Sequence, residues 1–130
     1  MAALMQLSII IPVYKEQKTI LHTLQALADT DIPVSCEILV VDGDPFASTL
    51  SYLESTPSPV NQLRMIRAVR GRGPQMNTGA KAAKGTLLFF LHADSRPEKT
   101  GIKKMIQAWQ SSRPDRFCGA FDLGIESPRP

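Results

Sequence analysis

Three stretches constrain this chain more than any others: LSIIIPV at residues 7–13, CEILVVDGD at 36–44 and TLLFFLHAD at 86–94. Each is a short apolar run without the every-other-residue alternation of a half-exposed strand, as expected where a sheet is covered on both faces. The second and third also end in residues too polar for such a core. Pro12 cannot donate to a strand ladder and should mark the end of the first run.

Helix-length segments separate the runs. In KEQKTILHTLQALADT, Ile20, Leu21, Leu24 and Leu27 share one face, and Pro33 closes the segment. FASTLSYLES predicts a shorter helix. LRMIRAV predicts a third strand near a sheet edge, because arginines alternate with its apolar residues. RGRGPQMNTGAKAAKG predicts a helix beginning at Pro74, where a missing N–H is tolerated, and stopping at Gly85. Its Gly79, Ala80, Ala82 and Ala83 suit close packing on a sheet. The clearest helix is PEKTGIKKMIQAWQ, with Ile102, Met105, Ile106 and Trp109 on one stripe, and RFCGAFDLGIE predicts a fifth strand.

This alternation of strands and helices predicts an α/β fold, an open and mostly parallel Rossmann-like sheet with helices on both faces. At 130 residues, one domain spanning 1–130 is expected. Net charge is +3, too mild to argue for nucleic acid, and the few aromatics are not interleaved with basic residues as a base-stacking surface requires. Cys36 and Cys118 lack metal or redox spacing and predict two buried thiols in a reducing, cytoplasmic setting. The N-terminus lacks the basic region of a signal peptide. No stretch approaches the roughly 18 apolar residues of a membrane span, which leaves peripheral contact as the remaining membrane association.

In an open parallel sheet, ligands bind beyond the carboxyl ends of the strands. Those ends carry Pro12, Tyr14 and Glu16 after the first strand, Asp42, Gly43 and Asp44 after the second, Arg70 and Arg72 after the third, and His92 and Asp94 after the fourth. Carboxylates among arginines suit a phosphorylated ligand arriving with a divalent cation. Arg64, Arg67, Arg70, Arg72, Lys81 and Lys84 follow one another with no acidic residue between them, which suits an anion or a solvated basic face equally. Taken singly, Asp42-Gly43 is also a common turn pair, Asp94 a natural helix cap, and His92 reads more readily as a core histidine bonded to backbone than as a ligand. Their coincidence at four successive strand ends favours a site.

Two nucleotide motifs are excluded. GPQMNTGAK has the wrong gap for a P-loop and no hydroxyl residue after its lysine; PVYKEQ after the first strand contains no glycine for a dinucleotide fingerprint.

SIIIPVYKEQKTI, EILVVDGD, RGRGPQMNTGAKAAKGTLLFFLHADS and GAFDL, in that order, resemble the nucleotide-sugar-binding half of family-2 glycosyltransferases with the GT-A fold. The nearest subgroup is the bacterial one with RGRxxQMNxGA and an HAD in place of DxD. The resemblance implies Pro12 and Tyr14 lining a nucleoside pocket with Glu16 beside it, Asp42 bonding the base or ribose, and Arg72 and the helix after it facing the nucleotide. It implies Asp94 as the ligand of Mg2+ or Mn2+, with His92 at the position of the first aspartate, where imidazole suits Mn2+ better than Mg2+. The partners implied are a nucleoside-diphosphate sugar and an acceptor, with inversion by direct displacement.

Two other departures accompany His92. The second motif reads VDGDPFAST in place of a Gly-Ser-Asp-type turn. The family's fold also continues beyond a chain of this length, to an acceptor site and a carboxylate general base, so an incomplete GT-A fold is expected; Asp122 and Glu126 are the last acidic residues. A final strand with an open edge favours a partner chain or self-association. The alternative is a nucleotide or nucleotide-sugar binding module without transfer chemistry of its own. A nucleotidyltransferase would need a glycine-rich loop after the first strand, and PVYKEQ does not supply one.

Overall fold

A computed structural model describes residues 5–111. The elements run β1 (Leu7–Val13), α1 (Ile20–Ala28), β2 (Cys36–Asp42), α2 (Ser48–Glu54), β3 (Leu63–Arg67), α3 (Arg72–Ala82), β4 (Leu87–Phe90) and α4 (Gly101–Gln110). The fifth strand expected over 116–126, with Cys118, Asp122 and Glu126, lies outside the described residues.

All strand pairs are parallel, in the order β3-β2-β1-β4. The chain steps outward from β1 to β3 and then returns to lay β4 on the other side of β1. Right-handed crossovers in opposite directions must use opposite faces. Accordingly α1 and α2 pack on one face and α3 on the other, and the switch point falls between β1 and β4.

The larger core joins Leu7, Ile9, Ile11 and Val13 of β1 to Ile20, Leu24 and Leu27 of α1, Leu50 and Leu53 of α2, and Ile102, Ile106 and Trp109 of α4. The smaller core joins Ile10, Leu39 and Val41 to the alanines of α3. This helix has few apolar side chains and substitutes proximity for bulk. A Cβ on Gly79 would lie 2.5 Å from Ile10 Cγ2 and 3.1 Å from Val41 Cγ2, so only glycine lets the helix lie this close.

Two expectations shift. α3 begins at Arg72, not Pro74, with Gln75 N–H donating to Gly71 O at 2.9 Å. Proline is still tolerated, because the first turn of a helix has no acceptor for its N–H groups. β4 is shorter than TLLFFLHAD predicted and, as the outer strand of the described sheet, is not covered on both faces: Phe90 is 39% exposed. Even-numbered residues of β1 bond towards β4, as in Leu87 N–H to Gln6 O and Leu91 N–H to Ile10 O. The next donor in that series would be Pro12, which has none. The ladder therefore ends there, and residues 91–95 are released from the sheet into a turn closed by Ser95 N–H to His92 O at 3.0 Å. β3 is an outer strand, as its alternating arginines predicted.

At the opposite end of the sheet, buried Glu37 accepts from Ser8 Oγ (2.6 Å), Lys84 N (2.6 Å) and Arg64 Nη1 (2.9 Å). Burial alone would raise its pKa, but the bonds from Ser8, Lys84 and Arg64 outweigh it and hold the carboxyl below the usual range. Arg64 also bonds Ala82 O at 2.8 Å, which ties down the end of α3. The adjacent Cys36 is half-buried, and burial followed by the Glu37 charge pushes its thiol up to about 12, where it is no nucleophile.

Candidate functional site

The loops after β1, β3 and β4 meet above the carboxyl edge of the sheet. Tyr14, directly after β1, receives the guanidinium of Arg70 over its ring, with Cζ 3.9 Å from the centroid, and Lys15 Nζ lies 5.3 Å from the same centroid. Such cation–π contacts hold cationic groups beside an aromatic face. Lys15 has φ 55, a left-handed conformation unusual for a residue with a Cβ and common at ligand clamps. From the other side, Arg72 Nη2 reaches His92 Nε2 at 3.0 Å. A guanidinium has no acceptor, so Nε2 accepts and the ring proton sits on Nδ1.

Glu16 is half-buried. Its carboxylate accepts from Thr19 Oγ1 at 3.0 Å, its carbonyl from Ile20 N–H at 2.9 Å, and its own N–H donates to Thr49 Oγ1 at 2.9 Å. It thus joins the starts of α1 and α2 beside the crevice. Pro12 is half-buried at the mouth that it helps to open.

Asp42 does not take the place expected of it. It is 0% exposed, with Oδ1 accepting from Asp44 N at 2.8 Å and Oδ2 from Leu50 N at 3.2 Å. Both oxygens are committed to backbone donors and none of its surface is exposed, so in this structure Asp42 holds the entry of α2. Asp44 is likewise buried and accepts from Ser48 Oγ, Phe46 N and Ser48 N, holding the start of α2. Its bond from Ser48 keeps its carboxyl below the usual range.

His92 is exposed and not the backbone-bonded core residue that its sequence setting favoured, because the β4 ladder has already ended. Asp94 is exposed too, and caps nothing: Thr100 precedes α4. The loop that carries them is anchored to α1 by Thr23 Oγ1 donating to Ala93 O. The acid-free basic segment does not form one patch. Arg64 lies at the far end of the sheet, and Arg67 donates to Pro45 O at 3.0 Å.

Among the described residues no three His, Cys, Asp or Glu side chains converge, so there is no all-protein cage for a cation. A Mg2+ or Mn2+ ion bound mainly by diphosphate oxygens and water needs only one or two carboxylates, and the exposed Asp94 fits that need. His92, as placed, does not: its Nε2 lone pair is taken by a guanidinium whose charge would oppose a cation at the same atom.

The residue that sequence reading passed over is Gln75. Its side chain is buried, donating from Nε2 to Val13 O (2.8 Å) and Val41 O (2.9 Å), while Oε1 accepts from Gly71 N (3.1 Å). The available signal was a long amide in the first turn of a helix that has few apolar side chains to bury.

An open parallel sheet with a switch point at its centre, whose strand-end loops carry cations, a carboxylate and an aromatic ring, is an α/β fold of GT-A type. The chain belongs to glycosyl transferase family 2, whose model matches residues 8–130. It is 30% identical over 105 residues to the poly(ribitol-phosphate) beta-N-acetylglucosaminyltransferase TarS of Staphylococcus aureus, covering 77% of this chain and 18% of that protein. It is 29% identical over 119 residues to the glycosyltransferase AglE of Haloferax volcanii, covering 89% and 39%. The chain thus spans less than half the length of either relative.

The crystal structure of S. aureus TarS 1–349 in complex with UDP-GlcNAc superposes with a TM-score of 0.69 at 27% identity, over 82% of this chain and 31% of that one. The mannosyltransferase PcManGT of Pyrobaculum calidifontis, in complex with GDP-Man and Mn2+, shares the fold with a TM-score of 0.67 at 23% identity, over 82% and 32%. Among the described residues no helix is long and apolar enough to cross a membrane.

Proposed function

We propose that residues 1–130 form a nucleotide-sugar-binding domain serving the donor side of an inverting glycosyl transfer. The observation that carries this reading is the joining of three strand-end loops by two side-chain contacts, Arg70 over Tyr14 and Arg72 to His92, with the exposed Asp94 two residues beyond His92. Tyr14 and Pro12 offer surface to a nucleoside, with Glu16 bracing the loop behind them. Arg72 and the start of α3 suit the diphosphate, since a planar guanidinium and a helix N-terminus both favour phosphate oxygens.

In the transfer, an acceptor hydroxyl attacks the anomeric carbon, its proton passes to a carboxylate base, and the bond to the departing nucleoside diphosphate breaks. A divalent cation held by Asp94 would supply charge neutralisation of that diphosphate. Asp122 and Glu126, the acidic residues nearest the C-terminus, lie outside the described residues, and no base is assigned. The UDP-GlcNAc of the TarS complex and the GDP-Man and Mn2+ of the PcManGT complex support the donor class.

Calorimetric titration with UDP and with GDP, each with and without Mn2+, tests the reading. Binding strengthened by Mn2+ and losing that strengthening in Asp94→Ala is expected. Absence of nucleoside diphosphate binding by the folded protein would overturn it.

A further inference from the structure

Gln75 lies buried in the first turn of α3, and every polar atom of its amide is engaged within the protein. It is 4% exposed. Nε2 bridges the carbonyls of Val13 and Val41 on neighbouring strands, and Oε1 holds Gly71 N–H, while the backbone N–H of Gln75 donates to Gly71 O. Gly71 is thus held at both its N–H and its carbonyl by one residue. It has φ 137, a conformation that side-chain-bearing residues rarely adopt, so the chain reversal here needs both a glycine and a clamp.

The residues on either side of Gly71 are the two arginines of the site. Arg70 goes to the Tyr14 ring and Arg72 to His92. Tyr14 in turn follows Val13, whose carbonyl Gln75 holds. The space for the amide is provided by Gly43: a Cβ there would lie 2.5 Å from Gln75 Oε1, 2.6 Å from its Cδ and 3.0 Å from Arg70 Cα.

We infer that Gln75 is a positioning residue for donor recognition, fixing the reversal at Gly71 so that Arg70 and Arg72 diverge, one towards the nucleoside side and the other towards the diphosphate. The inference rests on the donor-binding reading for its function but not for its geometry. A purely structural Gln75 would contribute stability alone. A positioning Gln75 couples to the two arginines.

The test uses Gln75→Met, which keeps the volume and removes the amide. Val13 O retains the Gly43 N–H, at 3.1 Å, so the ladder end keeps a bond. The first measurement needs no ligand: Arg70 side-chain protons stacked on Tyr14 carry an upfield ring-current shift in the proton NMR spectrum. That shift should collapse towards random-coil values in Gln75→Met while the dispersed methyl signals of the core persist; its retention overturns the inference. The second is UDP titration of wild type, Arg72→Ala, Gln75→Met and the double variant. Gln75→Met should weaken UDP about tenfold or more, and Arg72→Ala should then cost several-fold less in that background than in wild type. Equal cost in both backgrounds overturns the coupling and leaves Gln75 a structural residue. Should the wild type bind neither UDP nor GDP, the donor reading fails, and the ligand-free measurement still decides whether Gln75 positions Arg70.

Discussion

Arg72 donates from Nη2 to His92 Nε2 across 3.0 Å, joining the start of α3 to the turn beyond β4 across the mouth of the crevice. The histidine at the position of the first DxD aspartate thereby holds a cation through an arginine, where an aspartate would hold a metal. On the donor-binding proposal, the diphosphate would draw on this guanidinium and, separately, on a cation held by Asp94.

His92→Ala should therefore weaken UDP binding measured without metal, by roughly tenfold if one charge-assisted bond is lost, and leave the Mn2+-dependent gain nearly intact. Asp94→Ala should do the reverse. Titrations of both variants with and without Mn2+ separate the two contributions. Loss of the Mn2+ gain in His92→Ala would make the imidazole a metal ligand after all.

Asp42→Ala should act on stability and not selectively on ligand. It strands the N–H groups of Asp44 and Leu50 in a buried setting, at about 1–3 kcal/mol for each unsatisfied group. Urea unfolding should show a fall of that order. A selective loss of uridine affinity at unchanged unfolding midpoint would restore Asp42 to the ligand site.

Gly79→Ala should destabilise by about 1–3 kcal/mol, because a methyl group 2.5 Å from Ile10 Cγ2 forces α3 away from the sheet. Ile10→Val retains the clashing Cγ2 and removes a buried methyl, so the double variant should melt no higher than Gly79→Ala alone. Gly73→Ala, where an added Cβ meets nothing within 4 Å, is the matched control.

Glu37 and Asp44 both have folded pKa values held below their ordinary ones. For a depressed carboxyl, the stabilisation is present above the unfolded value of about 4 and is lost as pH falls through the folded value. Stability should accordingly drop from about pH 4 downwards. In Glu37→Gln that acid-dependent loss should be smaller, with a lower plateau at neutral pH because the Arg64 pairing is weakened. Denaturant midpoints measured between about pH 2 and 7 check both features.

Much of the fold was legible because burial on two faces leaves an uninterrupted apolar run, and helical burial leaves a stripe. β1 and the stripe of Ile102, Ile106 and Trp109 follow directly from those patterns. The edge position of β3 followed from arginines that a central strand could not hold. The short β4 did not follow from its own residues, since its limit is set by Pro12 on a neighbouring strand. The backbone roles of Asp42 and Gln75 were not legible for a related reason: an acid after a strand and an amide in a helix look the same whether they face ligand or backbone.

By itself the sequence determined the alternation of strands and helices, the polar residues that stand at each strand end, and membership of a glycosyltransferase family. Those are properties of local periodicity and of order along the chain. Only the tertiary structure decided which strand-end residues share a crevice and which are consumed in holding it together. Asp42 and Asp44 went to the backbone of the α2 entry, Arg64 to Glu37, and Gln75 to the ends of β1 and β2. The physical reason is that a buried polar group must find its partner wherever the packing of distant segments leaves one, and those distances are not written in the spacing of residues.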